Sequence, residues 1–427
     1  MNSVETIVHP QVREESTRAR AENGAEVVVV RRPGFAVSAA HVGLRFGSND
    51  LRFRLGDRIV EVPPGSAHYL EHKLFEGRDE KVFDRFARIG AEFNGGTSFT
   101  TTTYYFTASQ AFDAGLDVLL DFVQDVLLTE ERVEKERGII EQEVRMYDDH
   151  PSFHGVFLLH RALYHRHPIR HSPGGSVDDV RRITVDHLRD CWQAFYRPEN
   201  LRIAIAGDLD PEAVLARVEG MLRPAVLTPP VERLVVEEPP TPAASLLEED
   251  FRVTRPHVYV GWRDPEGPGL GDSGLRRRLL GSLALDLVFD LASPIHEDLY
   301  QRGVVDDGFR ASLSVDADWS YAAAGGESDE PERFLAEVAG AAESARDRVR
   351  EDDFERVRRA AFGRLVSSLQ SCSAVAGHAL HAMLQEVAPF AALDLLAGLR
   401  FDEVRVRMDE LFREEHRAAA VLRPEGG

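Results

Sequence analysis

GSAHYLEHKLFEG, residues Gly65–Gly77, puts two histidines and a glutamate within five positions of a segment that otherwise reads as a buried helix. At about 100° per residue His68, Glu71, His72 and Phe75 share one side of that helix, and Ala67, Leu70 and Leu74 take roughly the opposite side. Both sides look buried, so the charge needs a reason. Imidazoles at i and i+4 are spaced to hold one metal ion, and a carboxylate beside them can act on a water at that ion. The bland alternative is a His/Glu cluster on a solvated helix face, and the stretch alone offers too few ligands to decide.

A second stretch bears on the choice. In VEKERGIIEQEVRMY, Val133–Tyr147, a helical reading lines up Val133, Glu136, Ile140, Glu143 and Tyr147, with Ile139 and Val144 on the flanks. Glu134, Lys135, Arg137, Glu141, Gln142 and Arg145 fall outside this stripe. Two glutamates therefore sit on the apolar side, where an unpaired carboxylate costs several kcal/mol. Each needs a cation, a metal or strong hydrogen bonds. Catalytic zinc takes three protein ligands and keeps one position open. His68 and His72 supply two; Glu136 and Glu143 offer a third ligand and a carboxylate to orient a histidine. Periodicity leaves open which is which, and it leaves pairing with buried arginines as the other explanation.

The 427 residues exceed what one core usually supports, so two domains are expected. Lys+Arg 51 against Asp+Glu 72 gives a net charge of -21, which disfavours nucleic acid and anionic membrane surfaces as partners. Cys191 and Cys372 stand alone, without a CxxC neighbour, so neither a disulfide framework nor a thiolate zinc site is expected, and a reducing cytoplasmic location fits. No secretory or transit pattern shows in MNSVETIVHPQVREESTRAR. No apolar run reads as a bilayer span.

A Pro- and acid-rich segment at about 224–249 reads as a linker between a first domain, 1–230, and a second, 231–427. In the first, EVVVVRR and FAVSAAHVGLRFG read as paired strands, and GAEFNGGTSFTTTTYYFTAS as strands joined or bent at its glycines. Helices follow, then the strand LRIAIAG. The second half repeats the order, opening on HVYVGWRD, which indicates two structurally similar α+β domains, each a mostly antiparallel sheet packed on helices. Outside the central stretches, His160, His165, His167 and His171 lack helical spacing and read as a loop; His378 and His381 read as core or surface of a helix.

HYLEHKLFEG, EFNGGTSFTTTTYYF and EKERGIIEQEVRMYDDHPS resemble, in order and spacing, the active-site half of the pitrilysin/insulinase family of zinc peptidases, the HxxEH inverzincins. The similarity is greatest to small bacterial members that are often encoded as pairs. The resemblance implies Zn2+ as cofactor, His68, His72 and Glu143 as its ligands, Glu71 as general base and Glu136 as a supporting carboxylate. It implies a metallopeptidase mechanism in which Glu71 takes the proton of the attacking water and passes it to the leaving amine. Asn94, Gly95, Gly96 and Thr97 correspond to the family's substrate-binding edge strand, where a peptide adds in extended form. An Asn-Gly-Gly turn would look much the same there, and Gly95 stands where relatives often carry Ala.

The match fails in the second half. Active single-chain relatives bring an Arg and a Tyr from a segment that corresponds here to HEDLYQRGVVDDGF, in which Tyr300 stands in place of Arg, Asp306 in place of Tyr, and Arg302 is out of register. The expectation is a zinc endopeptidase for extended or small unfolded peptides, with a homologous, metal-free partner supplying the missing pair in a heterodimer, or a second copy doing so in a homodimer. The competing class is an assembly or peptide-binding subunit that keeps the fold without cutting.

Overall fold

Leu201–Gly207, LRIAIAG, is buried at every position but Arg202, which marks a strand enclosed on both faces. In the computed structural model, which describes residues 1–225, 229–264, 267 and 269–426, it lies in the middle of a sheet. The strands are β1 Asn2–His9, β2 Glu14–Arg20, β3 Glu26–Arg31, β4 Ser38–Leu44, β5 Arg52–Leu55, β6 Arg58–Glu61, β7 Glu92–Thr97, β8 Thr102–Ala108, β9 Leu201–Gly207, β10 Val231–Arg233, β11 Leu246–Phe251, β12 His257–Arg263, β13 Arg310–Val315, β14 Ser320–Glu327 and β15 Arg417–Pro424. Four helices are used below by label: α1 Ser66–Phe75, α2 Val82–Ile89, α3 Phe112–Phe122 and α4 Glu130–Asp148.

The chain forms two compact units, one made of Met1–Val144, His171–Val235 and Val366–Ala391, the other of Arg145–Arg170, Val236–Leu365 and Ala392–Gly427. The main boundary between them falls at Val235/Val236, and two segments are exchanged across it. The helix Cys372–Leu384, late in the chain, covers β4 and β9 of the first unit, and Pro151–Leu163 covers β12 and β15 of the second. Each seat is shaped the same way. A Cβ on Gly43 of β4 would come within 3.0 Å of Leu380 and Leu384, and one on Gly261 of β12 within 3.1–3.2 Å of Leu159 and Leu163. A strand glycine under leucines at i and i+4 recurs in both units, which is the duplicated plan expected from the order of elements.

The first unit carries a seven-stranded sheet in the order β1-β2-β3-β9-β4-β8-β7, antiparallel apart from the β3–β9 pair. The second carries a five-stranded sheet in the order β11-β15-β12-β14-β13, antiparallel apart from β11–β15. Both are α+β units of the expected kind. Four details differ from the sequence reading. β3 and β4 are not paired, because β9 lies between them. The pair Gly95–Gly96 makes no turn; both glycines lie inside β7, and the hairpin to β8 closes through Ser98–Thr101, where Ser98 N–H donates to Thr101 O. The N-terminal stretch is a hairpin, β1 on β2. Within the expected linker, Val231–Arg233 pairs with β5 and β11 begins at Leu246; its residues 226–228 lie outside the described ones.

The span Gly271–Gln301 is long and apolar enough to cross a membrane by length and composition alone. It consists of two helices, Gly271–Phe289 and Pro294–Gln301, and Leu283, Leu287, Val288 and Ile295 pack into the core of the second unit.

Candidate metal centre

Helix α1 is enclosed on nearly every side: Ala67, Tyr69, Leu70, Glu71, Lys73 and Leu74 are all buried. Even the Lys73 ammonium is held, donating to Arg132 O at 2.7 Å and to the Glu76 carboxylate. The helix starts at Gly65, with φ +89°, where a side chain would collide with Gly174 O. Gly175, φ +73°, sits as closely on the preceding residue: its Cβ would lie 2.5 Å from Pro64 O. The SPGG sequence at 172–175 thus serves to bring backbone against the start of α1 beside His68. The sequence reading missed this role, although a Gly-Gly pair following a His-rich stretch was its visible sign.

α4 lies against α1. Its buried positions are Val133, Ile140 and Val144, while Ile139 and Tyr147 are exposed, so its apolar stripe is narrower than the heptad spacing suggests. Tyr69 O–H donates to Val133 O and ties the two helices together. Glu136 and Glu143 both face α1. Glu143 presents Oε1 at 3.6 Å from His68 Nε2 and Oε2 at 3.3 Å from His72 Nε2; Glu136 Oε1 lies 3.1 Å from His72 Nδ1. The structure therefore separates the two glutamates that the helical stripe left equivalent: Glu143 meets both histidines, and Glu136 meets only the outer nitrogen of His72.

His68, His72 and Glu143 form the one group of three or more His, Cys, Asp or Glu able to hold a metal ion among the described residues, their ligand atoms lying within 4.8 Å of one another. The geometry suits zinc. A tetrahedral ion with N and O arms of about 2.0–2.1 Å has ligand–ligand edges of about 3.3–3.4 Å; here one Glu143 oxygen stands 3.6 Å from His68 and the other 3.3 Å from His72, spacings of the same order. A His-His-Glu donor set is also one that zinc takes in hydrolytic centres with a position left open. Nδ1 of His68, packed near Gly174, is buried and without a hydrogen-bond partner.

The groups of the site shift one another's acidity. The adjacent His68 and His72 imidazoles hold the Glu143 carboxyl well below the usual range. The bond to His72 does the same for Glu136, against the effect of burial. Burial disfavours charge on His72, but its bonds to Glu136 and Glu143 outweigh that and hold it up to about 9. Glu71 moves the other way: burial raises it, opposed by the nearby histidines and by the Thr97 hydroxyl, which donates to Oε2 at 3.3 Å. Two carboxylates in one site are thus pushed apart in acidity, the arrangement that separates a ligand from a proton acceptor.

Asn94–Thr97 lie on β7, the edge strand of the sheet, in register with Tyr105 to Thr102 of β8. Asn94 is exposed, and its Oδ1 accepts from Gly95 N–H at 2.8 Å. Gly95 has a packing reason: a Cβ there would lie 2.6 Å from Phe75 Cζ. Thr97, the last residue of β7, donates its hydroxyl to Glu71. The histidines between 160 and 171 make no metal group: His160 is buried between Ile169 O and the Tyr321 hydroxyl, and His167 lies 3.4 Å from Asp318. His378 on the Cys372–Leu384 helix bonds Ser368 Oγ at 2.8 Å.

A buried carboxylate beside a His-His-Glu cluster, on a unit whose plan is repeated in a second one, has the form of a zinc-peptidase centre. The chain belongs to the insulinase family, peptidase family M16: residues 61–173 match the profile "Insulinase (Peptidase family M16)" and 182–361 match "Peptidase M16 inactive domain". It is 32% identical over 407 residues to "Uncharacterized zinc protease YmfH" of Bacillus subtilis (strain 168), covering 94% of this chain and 95% of that protein. The crystal structure of a putative M16-like peptidase from Alicyclobacillus acidocaldarius superposes with a TM-score of 0.92 at 34% identity, over 96% of this chain and 99% of that one. A protease from Helicobacter pylori, 19% identical, shares the fold with a TM-score of 0.83, over 96% of this chain and 100% of that one. These relatives support a peptidase-like function.

Proposed function

We propose that the chain is a zinc-dependent endopeptidase acting on extended or small unfolded peptides. The observation that carries this reading is the convergence of His68, His72 and Glu143 with the Glu71 carboxylate buried beside them. His68 Nε2, His72 Nε2 and Glu143 would hold the ion. Glu136 accepts from His72 Nδ1–H, which leaves Nε2 as the lone-pair nitrogen. Bound zinc supplies a Lewis acid that polarises a carbonyl and makes water acidic near neutral pH. Glu71 is the general base: its raised proton affinity suits it to accept a proton from the attacking water and return it to the leaving amine. The free side of β7 offers unpaired N–H and C=O groups to an extended peptide.

A homologous, metal-free partner chain is proposed to complete the site in a cytoplasmic heterodimer, with a homodimer as the other arrangement. Three features support this. Tyr300 is engaged with Asp307, and Asp306 with Gly308 N–H and Arg255. Arg302, the nearest guanidinium in sequence, is held by Asp298 and Glu337. None of these three offers an idle group for a developing oxyanion. Cys191 and Cys372 are buried and unpaired, as a reducing compartment allows.

The test is cleavage of a quenched peptide library by zinc-loaded protein, alone and with a homologous chain that lacks the HxxEH motif. Cleavage by the pair, reduced roughly 100- to 10,000-fold in Glu71→Gln, is expected. A Glu71→Gln protein as fast as wild type contradicts the mechanism, and full activity of the single chain contradicts the partner.

A further inference from the structure

Strand β7 rests on helix α1 at two points. Gly95 lies against the ring of Phe75, and Thr97 donates to Glu71. Glu71 and Phe75 are one helical turn apart, about 6 Å along the axis, and Gly95 and Thr97 span two strand residues, about 6.6 Å. The spacings match, and the order is reversed, so the strand runs antiparallel to the helix with two matched contacts. The close fit of Phe75 on a residue without a side chain fixes how far the strand sits along the helix, and this register delivers the Thr97 hydroxyl to Oε2 of Glu71.

The Glu71 carboxylate is 6% exposed. Near it the hydroxyls of Tyr104, which is buried, and Tyr196, which is partly buried, are hydrogen-bonded at 2.8 Å, both close enough to feel the charge of Glu71. The Thr97 hydroxyl bonds the carboxylate directly, and it takes one oxygen, Oε2. Thr97 is also the last residue of the edge strand, paired with Thr102 of β8.

We infer that Thr97 is a positioning residue for Glu71, and that it links the edge strand to the proton acceptor, so that a peptide pairing along β7 also steadies the carboxylate. This rests on the endopeptidase reading above. The linkage requires no movement of the strand, only a lower freedom of its terminal residue once a peptide adds to the sheet.

The experiment compares Thr97→Val, which keeps the shape and loses the donor, with Thr97→Ser, which keeps the donor. In the zinc-loaded protein with its partner, Thr97→Val should lower kcat roughly 10- to 100-fold with little change in KM or zinc content, and Thr97→Ser should restore kcat to within a few-fold. Wild-type kcat in Thr97→Val, or equal loss in both variants, overturns the inference. A second readout needs no activity. In thermal denaturation of the metal-free protein, Glu71→Ala should lower Tm more in the wild-type background than in Thr97→Val, because only the former loses the hydrogen bond. Equal shifts in the two backgrounds overturn it as well. If no peptide is cleaved but the Tm shifts are coupled, the endopeptidase reading fails while the Thr97–Glu71 contact stands.

Discussion

The helix α1 of the first unit and the helix Gly271–Phe289 of the second hold the same station. Each precedes a short helix and then the edge strand of its sheet, and each packs against that strand. Their chemistry differs. α1 brings His68, Glu71 and His72 to meet Glu143, while the last turns of its counterpart bury Leu283, Leu285, Leu287, Val288 and Phe289. The counterpart helix also carries charge, but of another kind: Arg277 pairs with Asp264, which Arg407 holds as well, and no His/Glu cluster stands at that station. Burying carboxylates and imidazoles costs several kcal/mol unless they are paired or bound to metal; the second unit meets that cost with arginine–carboxylate pairs, and the first gathers two imidazoles and a carboxylate at one point.

Both units also bury a neutral histidine far from this chemistry, and that gives the largest expected effect. His41, on β4, stacks on Tyr105 and bonds Ser373; burial lowers it to about 4. His160, in the second unit, faces Ile169 O, the Tyr321 hydroxyl and His167, and burial likewise lowers it to about 4. The unfolded chain takes up protons near 6.5, and the folded one only near 4. The stability these sites contribute is therefore complete above pH 6.5 and is lost as pH falls towards 4, by about 3 kcal/mol each. Urea denaturation at pH 7 and pH 4.5 should show this loss shrinking in His41→Gln and in His160→Gln alike. A loss that shrinks in only one of them breaks the parallel between the units.

The next prediction separates the roles of the two glutamates on α4. Glu136→Leu removes the acceptor that orients His72 while roughly keeping its size, so zinc affinity should drop roughly 10- to 100-fold without loss of the one-to-one stoichiometry. Equal affinity in a competition titration with a chelator would make Glu136 a bystander. The smallest effect belongs to the repeated seat of the exchanged helices. A methyl on Gly43 or on Gly261 presses on flexible leucine ends at 3.0–3.2 Å. Gly43→Ala and Gly261→Ala should each cost about 1 kcal/mol in thermal denaturation and leave metal content untouched. Unequal costs would mean that the two seats are packed differently.

What was legible in the sequence was local. The spacing of His68, Glu71 and His72 and the stripe on α4 come from helical periodicity, which a buried helix imposes directly. Which glutamate meets both histidines was not, because positions seven apart share a face and only the axial offset of the two helices separates them. The neighbours of a strand are set by long-range pairing, so EVVVV and FAVSAAHVGL looked adjacent although LRIAIAG divides them. The glycines of NGGT suggested a turn; one of them is there for the ring of Phe75, a contact with a residue about twenty positions earlier. The contact of Thr97 with Glu71 was hidden for the same reason, since nothing nearby in sequence points to that partner. The exchange of the Cys372–Leu384 and Pro151–Leu163 helices left no local sign, as an apolar helix reads the same whichever sheet it covers.

The central claim is that the charge on α1 and α4 exists to bind one zinc ion, and metal stoichiometry tests it most directly. Protein stripped with a chelator, reloaded and freed of excess metal should carry one zinc per chain. Glu143→Ala and His72→Ala should carry none, and Glu71→Gln should keep it. A wild-type chain that retains no metal, or a Glu143→Ala chain that retains it fully, would contradict the account.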